Sequence, residues 1–124
     1  MTKEFILGIL LPYFDDPTTC AVNEDGLCSY LTEDGRKCAV GKMLKEGSWQ
    51  TYVGDVTGLV NRYGKDIFKK DIEVSNLKVL EHMQGIHDFL ASKKYGITKI
   101  SIEDLQEATG FEFPELLNHK ILQQ

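Results

Sequence analysis

Four side chains in this sequence have types that could do chemistry together: Cys28, Cys38, His87 and Asp88. A cysteine becomes a nucleophile when its pKa falls and the thiolate forms, as happens at a helix N-terminus or beside a basic group. If Cys38 ended a strand just before a helix, backbone amides there could lower its pKa, and His87 is the candidate general base for it. Neighbouring helical residues point about 100° apart, so the side chains of His87 and Asp88 are expected to face different ways.

A buried structural role is the simpler interpretation of Cys38, because free cysteine is among the residues most often buried. The alternative is a thiol-dependent enzyme, or a Cys/His metal site, that uses Cys38 and His87 with help from Cys28. The three cysteines and three histidines include no Cys-x-x-Cys or His-x-x-x-His pair, and structural zinc sites usually begin with such a close pair. We therefore expect no bound metal and no cofactor, and we favour a non-enzymatic protein over an enzyme.

Two further segments offer candidate binding residues. Phe111 and Phe113 could anchor a partner protein, since aromatic residues dominate interface hot spots, although a place in the core or at its rim is the simpler interpretation. Asp34 and Arg36 flank a glycine at a predicted turn, where they present opposite charges. Residues 34–37 lack the glycine spacing and the following Ser or Thr of a phosphate-binding loop.

The element predicted to position the two cysteines is a β-hairpin. Strands are predicted at 27–31 and 37–40, joined by a turn around Gly35. Two registers stay open. A two-residue turn places Cys28 and Cys38 on opposite sides of the ribbon, whereas a three-residue loop places them on the same face, and we favour the three-residue loop.

Apolar residues at helical spacing predict the other elements, which cover residues 3–11, 53–63, 74–94, 102–109 and 115–122. Pro12 is predicted to end or kink the first helix near Leu11, and Gly64 is predicted to cap the second. The longest predicted helix, 74–94, has an apolar stripe with polar residues opposite, among them Glu81, Gln84 and Asp88. The expected fold is α+β, a mostly helical single domain (1–124) with a small antiparallel hairpin packed on this long helix.

Length, charge and cysteine count narrow the class of protein. A chain of 124 residues with 42% hydrophobic residues can bury a core of its own. Its net charge of −5 argues against nucleic-acid binding, and no apolar run approaches the roughly 20 residues of a membrane span. The chain start lacks the small residues of a signal-peptide cleavage site, and the odd cysteine count fits a reducing compartment. We expect a cytoplasmic protein with a protein partner, not one that binds nucleic acid or a membrane.

The segment from Cys28 to Gly41, Cys-Ser-Tyr-Leu-Thr-Glu-Asp-Gly-Arg-Lys-Cys-Ala-Val-Gly, resembles a pattern in small uncharacterised proteins encoded by bacteria and their phages. A later Leu-Gln-x-x-His-Asp element in those proteins is similar to residues 83–88 here, with Met83 in place of leucine. The resemblance implies a phage or prokaryotic cytoplasmic origin but no catalytic role. Together with the small size and acidic charge, it favours a non-enzymatic protein-interaction module, such as a phage-encoded modulator or inhibitor of a host protein. A self-associating structural module is a third interpretation.

Overall fold

The computed structural model describes residues 1–22, 28–69, 72 and 77–123. The α-helices of these residues are α1 (Lys3–Asp15), α2 (Val56–Tyr63), α3 (Leu77–Ala91), α4 (Tyr95–Thr109) and α5 (Pro114–Leu117). Single 3₁₀ turns lie at Pro17–Thr19, Gly41–Met43, Ser48–Thr51, Lys65–Ile67 and Lys120–Gln123. Helices α3 and α4 pack along one another, and α1 and α2 pack against α3. Helix α3 therefore lies at the centre of the fold.

Helix α1 is longer than its proline predicts. Thr2 caps its N-terminus by accepting a hydrogen bond from the backbone N–H of Phe5 at 3.1 Å. Of the two outcomes predicted near residue 11, an end or a kink, the end is wrong, because the helix continues through Pro12 for another turn. Proline removes one backbone hydrogen bond and crowds the preceding turn. Complete burial of Tyr13 and Phe14 in the core compensates for that loss.

Helix α3 buries the predicted apolar stripe, but the ends of α3 and α4 differ from the predicted ones. The stripe of α3 is buried as expected, at Val79, Leu80, Met83, Ile86 and Leu90. Of the predicted helix 74–94, residues 74–76 lie outside the described part of the chain, and the helix ends at Ala91. Helix α4 begins at Tyr95, seven residues earlier than predicted, and its first two turns include the buried residues Thr98 and Ser101. Ser101 therefore lies inside the helix and does not cap it.

The remaining helix predictions are partly confirmed. Gly64 ends α2 with a φ of +82°, a left-handed conformation that favours glycine, as predicted. Pro114 begins α5 as predicted. The expected helix 115–122 is divided, since α5 ends at Leu117 and a separate 3₁₀ turn follows.

The predicted α+β class is wrong, because the described residues form an all-α fold with no β-sheet. Residues 28–31 and 37–40 form no ladder in either predicted register, and residue 27 lies outside the described part. Isolated antiparallel bridges join Val22 to Cys28 and Leu44 to Phe68. The predicted turn is present, with Gly35 at a φ of +87° and the backbone N–H of Thr32 donating to the Arg36 carbonyl at 2.9 Å.

The two arms fail to pair because their backbone donors bind elsewhere. In the first arm the N–H of Ser29 donates to the Ala21 carbonyl at 3.0 Å, and in the second arm the N–H of Val40 donates to the side-chain oxygen of Gln84 at 3.1 Å. The chain then turns into Gly41–Met43. A Cβ at Gly41 would lie 2.1 Å from the Tyr30 carbonyl oxygen, so the arms touch at a glycine contact and not through a ladder.

No helix in the described ranges is long and apolar enough to cross a membrane.

Candidate functional site

Helix α3 brings together most of the residues that the sequence singled out. Gln84, His87 and Asp88 lie on successive turns of this helix and face the segments that contain Cys28 and Cys38. Their side chains replace the missing hairpin as the structure that holds those segments in place.

The hydrogen bonds of His87 fix its charge state and its tautomer. The ring is fully buried, and its Nε2 accepts a hydrogen bond from the backbone N–H of Ala21 at 2.9 Å. Because Nε2 is an acceptor, the ring proton lies on Nδ1, which donates to Asp88 Oδ1 at 2.8 Å. The expectation that His87 and Asp88 face different ways is therefore wrong. Both ring nitrogens are used in these contacts, so the imidazole is neutral and has no lone pair left for a thiol proton.

Aromatic packing holds the His87 ring from a second side. The ring of Tyr13 meets it edge-on at 4.7 Å between centroids, and the Tyr13 hydroxyl donates to the Lys37 carbonyl at 2.5 Å. Lys42 Nζ lies 3.9 Å from the centre of the Tyr13 ring. Burial lowers the pKa of Lys42. The Tyr13 ring therefore packs between the Lys42 ammonium group and the His87 ring.

The side-chain amide of Gln84 joins three separate parts of the chain. Its oxygen accepts the Val40 N–H at 3.1 Å, and its nitrogen donates to Cys28 Sγ at 2.8 Å and to Asp88 Oδ1 at 2.9 Å. Gln84 is 7% exposed, and Val40 is fully buried. An amide has one acceptor group and two N–H donors, so every polar atom of this side chain is satisfied.

The thiols beside this network are protonated or sealed from solvent. A hydrogen bond with Cys38, followed by burial, raises the pKa of Cys28 well above its ordinary value. Burial raises the pKa of Cys20 from 9.0 to about 12. Cys38 is fully buried, and its sulfur contacts Gly41 and Cys28. Catalysis by a thiol needs an accessible thiolate, so these surroundings favour the structural interpretation of Cys38.

Cys28, His87 and Asp88 also form a cluster whose ligand-type atoms lie within 4.8 Å of one another. Coordination through Nδ1 of His87 would move the ring proton to Nε2, where it would face the N–H of Ala21 at 2.9 Å. Two donors would then oppose each other in a buried site. The donor set therefore does not fit a metal ion without loss of the contact that fixes the ring.

A groove of about 510 Å³ opens over the exposed side of the network. We call it the Asp88 groove, and its lining residues are Cys28, Val53, Gly54, Asp55, Val56, Glu81, Gln84, Gly85 and Asp88. Its volume lies within the range of about 300–1,000 Å³ that is typical of ligand sites. Half-buried Cys28 and the Asp88 side chain, which is 37% exposed, connect the groove to the buried network.

Three carboxylates line the groove, and internal contacts orient each of them. Asp55 caps α2 by accepting the Gly58 N–H at 2.7 Å, and Glu81 accepts the Thr57 hydroxyl at 2.6 Å. Asp88 accepts from the two α3 side chains described above. A carboxylate has about four acceptor positions, so each keeps capacity for a ligand. None of the nine lining residues is lysine or arginine.

The other candidate binding residues lie apart from the groove. Phe113 is fully buried and packs edge-on against half-buried Phe111 at 6.4 Å, which places both rings in the core and at its rim. Arg36 bonds Asp34 at 3.0 Å and donates to the Cys20 carbonyl at 2.8 Å, so it fastens the turn to a neighbouring segment. The hydrogen bond from Thr32, followed by that from Arg36, lowers the pKa of Asp34.

Sequence reasoning missed the groove itself. Glu81, Gln84 and Asp88 were recognised as the polar side of a helix, and the spacing of three and four residues that they share is the signal that they form one surface. Asp55 could have been recognised as a helix cap that precedes Val56. Nothing in the local sequence indicates that α2 and α3 place these acids around a common space.

No protein-family model, no curated protein and no solved structure matches this chain.

Proposed function

We propose that this protein is a small non-enzymatic interaction module whose Asp88 groove binds a basic segment of a partner protein. The observation that carries the proposal is the Asp88 carboxylate, which two internal donors hold at the edge of a groove whose lining contains three acids and no base. An arginine side chain suits such a site, because its guanidinium pairs with carboxylates in a fixed geometry.

The apolar part of the groove matches the rest of such a side chain. Val53 is 58% exposed and lies with buried Val56 in the lining. The methylene stem of an arginine or lysine covers apolar surface while its charged end reaches an acid. The net charge of −5 adds a long-range attraction that steers a cationic partner toward the protein. The fully bonded His87 ring, the complete burial of Cys38 and the raised pKa of Cys28 support binding over catalysis as the use of this site.

Binding of a defined peptide tests the proposal. The probe is Ac-Arg-Leu-Arg-amide, titrated into ¹⁵N-labelled protein, and the control is the same peptide with citrulline, which keeps the shape of arginine without its charge. We expect the arginine peptide to shift the amide resonances of Gly54, Gly85 and Asp88, and the citrulline peptide to bind at least tenfold more weakly. Raising the salt concentration weakens a charge-driven contact.

Two variants separate charge from shape. Asp88→Asn keeps an acceptor oxygen for the internal donors but removes the charge, and should weaken peptide binding about tenfold. Gly85→Leu should place a side chain in the groove, and its Cβ fits there, since a Cβ at this position meets only the Phe89 ring at 3.8 Å. Glu107→Gln, at an exposed acid outside the lining, is the matched control. Equal binding by wild type and Asp88→Asn, or equal binding of the two peptides, would refute the proposal.

The resemblance to phage proteins leads us to propose that the partner is a bacterial host protein and that the complex forms in the host cytoplasm. Affinity capture from a bacterial lysate tests this when it is carried out in parallel with wild type, Asp88→Asn and Gly85→Leu. A host protein retained by wild type and lost with both variants agrees with the proposal. A set of captured proteins that is identical for all three baits contradicts it.

A further inference from the structure

Two of the three cysteines lie against each other at the edge of the Asp88 groove. A hydrogen bond joins the side chains of Cys28 and Cys38, and neither residue is in a disulfide. Cys28 is half-buried and lines the groove, whereas Cys38 is fully buried. The pair therefore has one sulfur that a small molecule in the groove can reach and a second sulfur that is sealed from solvent.

Two further contacts hold the chain segments of this pair together. The side-chain amide of Gln84 donates to Cys28 Sγ at 2.8 Å, and its oxygen accepts the backbone N–H two residues after Cys38 at 3.1 Å. A Cβ at Gly41 would lie 2.1 Å from the Tyr30 carbonyl oxygen, so the two backbones also touch just beyond the cysteines. Because these contacts do not depend on a bond between the thiols, the fold itself keeps the two cysteines adjacent.

We propose that Cys28 and Cys38 form a reversible disulfide when a peroxide enters the Asp88 groove. A disulfide needs two sulfurs that can approach to about 2.05 Å, and rotation of the side chains can bring together sulfurs that already share a hydrogen bond. The lining favours an uncharged oxidant. Its nine residues include three acids and neither lysine nor arginine, so they repel an anionic disulfide such as oxidised glutathione but not hydrogen peroxide.

The oxidation takes place in two balanced steps. In the first, the Cys28 sulfur attacks one oxygen of hydrogen peroxide and the O–O bond breaks. The departing hydroxide takes the thiol proton and leaves as water, and Cys28 becomes a sulfenic acid. In the second step the Cys38 sulfur attacks the Cys28 sulfur, the S–O bond breaks, and the hydroxide leaves as water with the Cys38 proton. One peroxide is thus reduced by two electrons while two thiols become one disulfide.

The surroundings of Cys28 make this a slow stoichiometric reaction and not catalysis. The hydrogen bond with Cys38, followed by burial, raises the pKa of Cys28, so little thiolate is present at neutral pH. Once the sulfenic acid forms, the adjacent Cys38 reacts with it before a second peroxide converts it to the irreversible sulfinic acid. Disulfide formation needs no bound partner, so its test is separate from that of the proposed function.

Cysteine mapping of the full chain after treatment with hydrogen peroxide tests the inference. The folded protein is oxidised, its remaining thiols are alkylated in urea, and a digest with trypsin and Glu-C places the three cysteines on separate peptides. We expect linked peptides of Cys28 and Cys38, a free Cys20, and recovery of all three thiols after reduction with dithiothreitol. Cys20 is an internal control, because it is 2% exposed and its sulfur lies 4.0 Å from the His87 carbonyl oxygen.

Two variants separate the steps of the reaction. In Cys38→Ala the second step has no nucleophile, so Cys28 should stop at the sulfenic acid and react with dimedone, whereas wild type should be labelled only weakly. Cys20→Ala should form the disulfide as readily as wild type. Circular dichroism spectra equal to that of wild type show that each variant is folded.

Several outcomes overturn the inference. They are a disulfide that contains Cys20, a disulfide that forms only in urea, and a link that joins two chains on a nonreducing gel. Conversion of Cys28 to its sulfinic acid while Cys38 stays free overturns it too. So does a folded protein that keeps both thiols unmodified in excess peroxide.

Discussion

Replacement of Gln84 by methionine tests the claim that one amide holds the loops to α3. Methionine matches glutamine in length and flexibility but offers no N–H donor and no carbonyl acceptor. The variant therefore removes the three hydrogen bonds of the amide while it keeps the packing. The most costly result is at Val40, whose fully buried N–H loses its acceptor.

The expected loss of stability follows from these contacts. A buried donor without a partner costs about 1–3 kcal/mol, and a hydrogen bond to a charged group contributes about 1.5–3 kcal/mol. The second amount applies only in part, because the Asp88 side chain is 37% exposed and water can replace the amide there. We expect Gln84→Met to lower the free energy of unfolding by about 2–4 kcal/mol, which is a fall in Tm of about 10 °C for a chain of this length.

Urea unfolding at pH 7, followed by circular dichroism, measures the effect, and Gln106→Met is the matched control. Gln106 is half-buried and accepts one backbone N–H, that of Phe113, at 2.7 Å. Its replacement should cost about 1 kcal/mol. A Gln84→Met variant that loses no more stability than Gln106→Met, at an unchanged m-value, would refute the role assigned to Gln84.

The remaining predictions concern a glycine contact and a buried thiol. Gly41→Ala should destabilise the protein by about 3 kcal/mol, because its Cβ would lie 2.1 Å from the Tyr30 carbonyl oxygen. Gly85→Ala, in an uncrowded helical position, should instead stabilise it by about 1 kcal/mol, and thermal melts of both variants distinguish the two cases. The pKa of Cys20 is raised from 9.0 to about 12 in the folded state, so the folded state holds this proton more tightly and stability falls as pH rises from 9 toward 12. Between pH 8 and 10 the stability of wild type should fall by about 1.4 kcal/mol more than that of Cys20→Ala, and parallel slopes in urea titrations would contradict the burial of that thiol.

The sequence predicted the parts of the fold that depend on local pattern. The apolar stripe of α3 follows from its helical period, and the cap at Gly64 follows from a conformation that glycine adopts most easily. The turn at Gly35 was recognised for the same reason. In each of these places the local preference and the tertiary structure agree.

The sequence predicted the turn but could not show whether the two arms pair, because a turn and a ladder depend on different groups. A turn needs only its own residues, whereas a ladder needs backbone donors that nothing else binds. Here Gln84 takes the N–H of Val40 from a distance of 44 residues along the chain. The contact between His87 and Asp88 was missed, because helix geometry sets the direction of each Cα–Cβ bond but not the position of the end of the side chain. In the structure His87 Nδ1 and Asp88 Oδ1 lie 2.8 Å apart.

The long-range contacts of α3 bear on the order in which the chain folds. Helices α3 and α4 are neighbours in sequence, so they can meet with little loss of chain entropy. The contacts that dock the loops join Ala21 to His87 across 66 residues and Val40 to Gln84 across 44, and contacts of such separation form slowly. The helical pair is therefore expected to assemble first and the loops to dock last, which means that damage at Gln84 or His87 accelerates unfolding and leaves the folding rate almost unchanged.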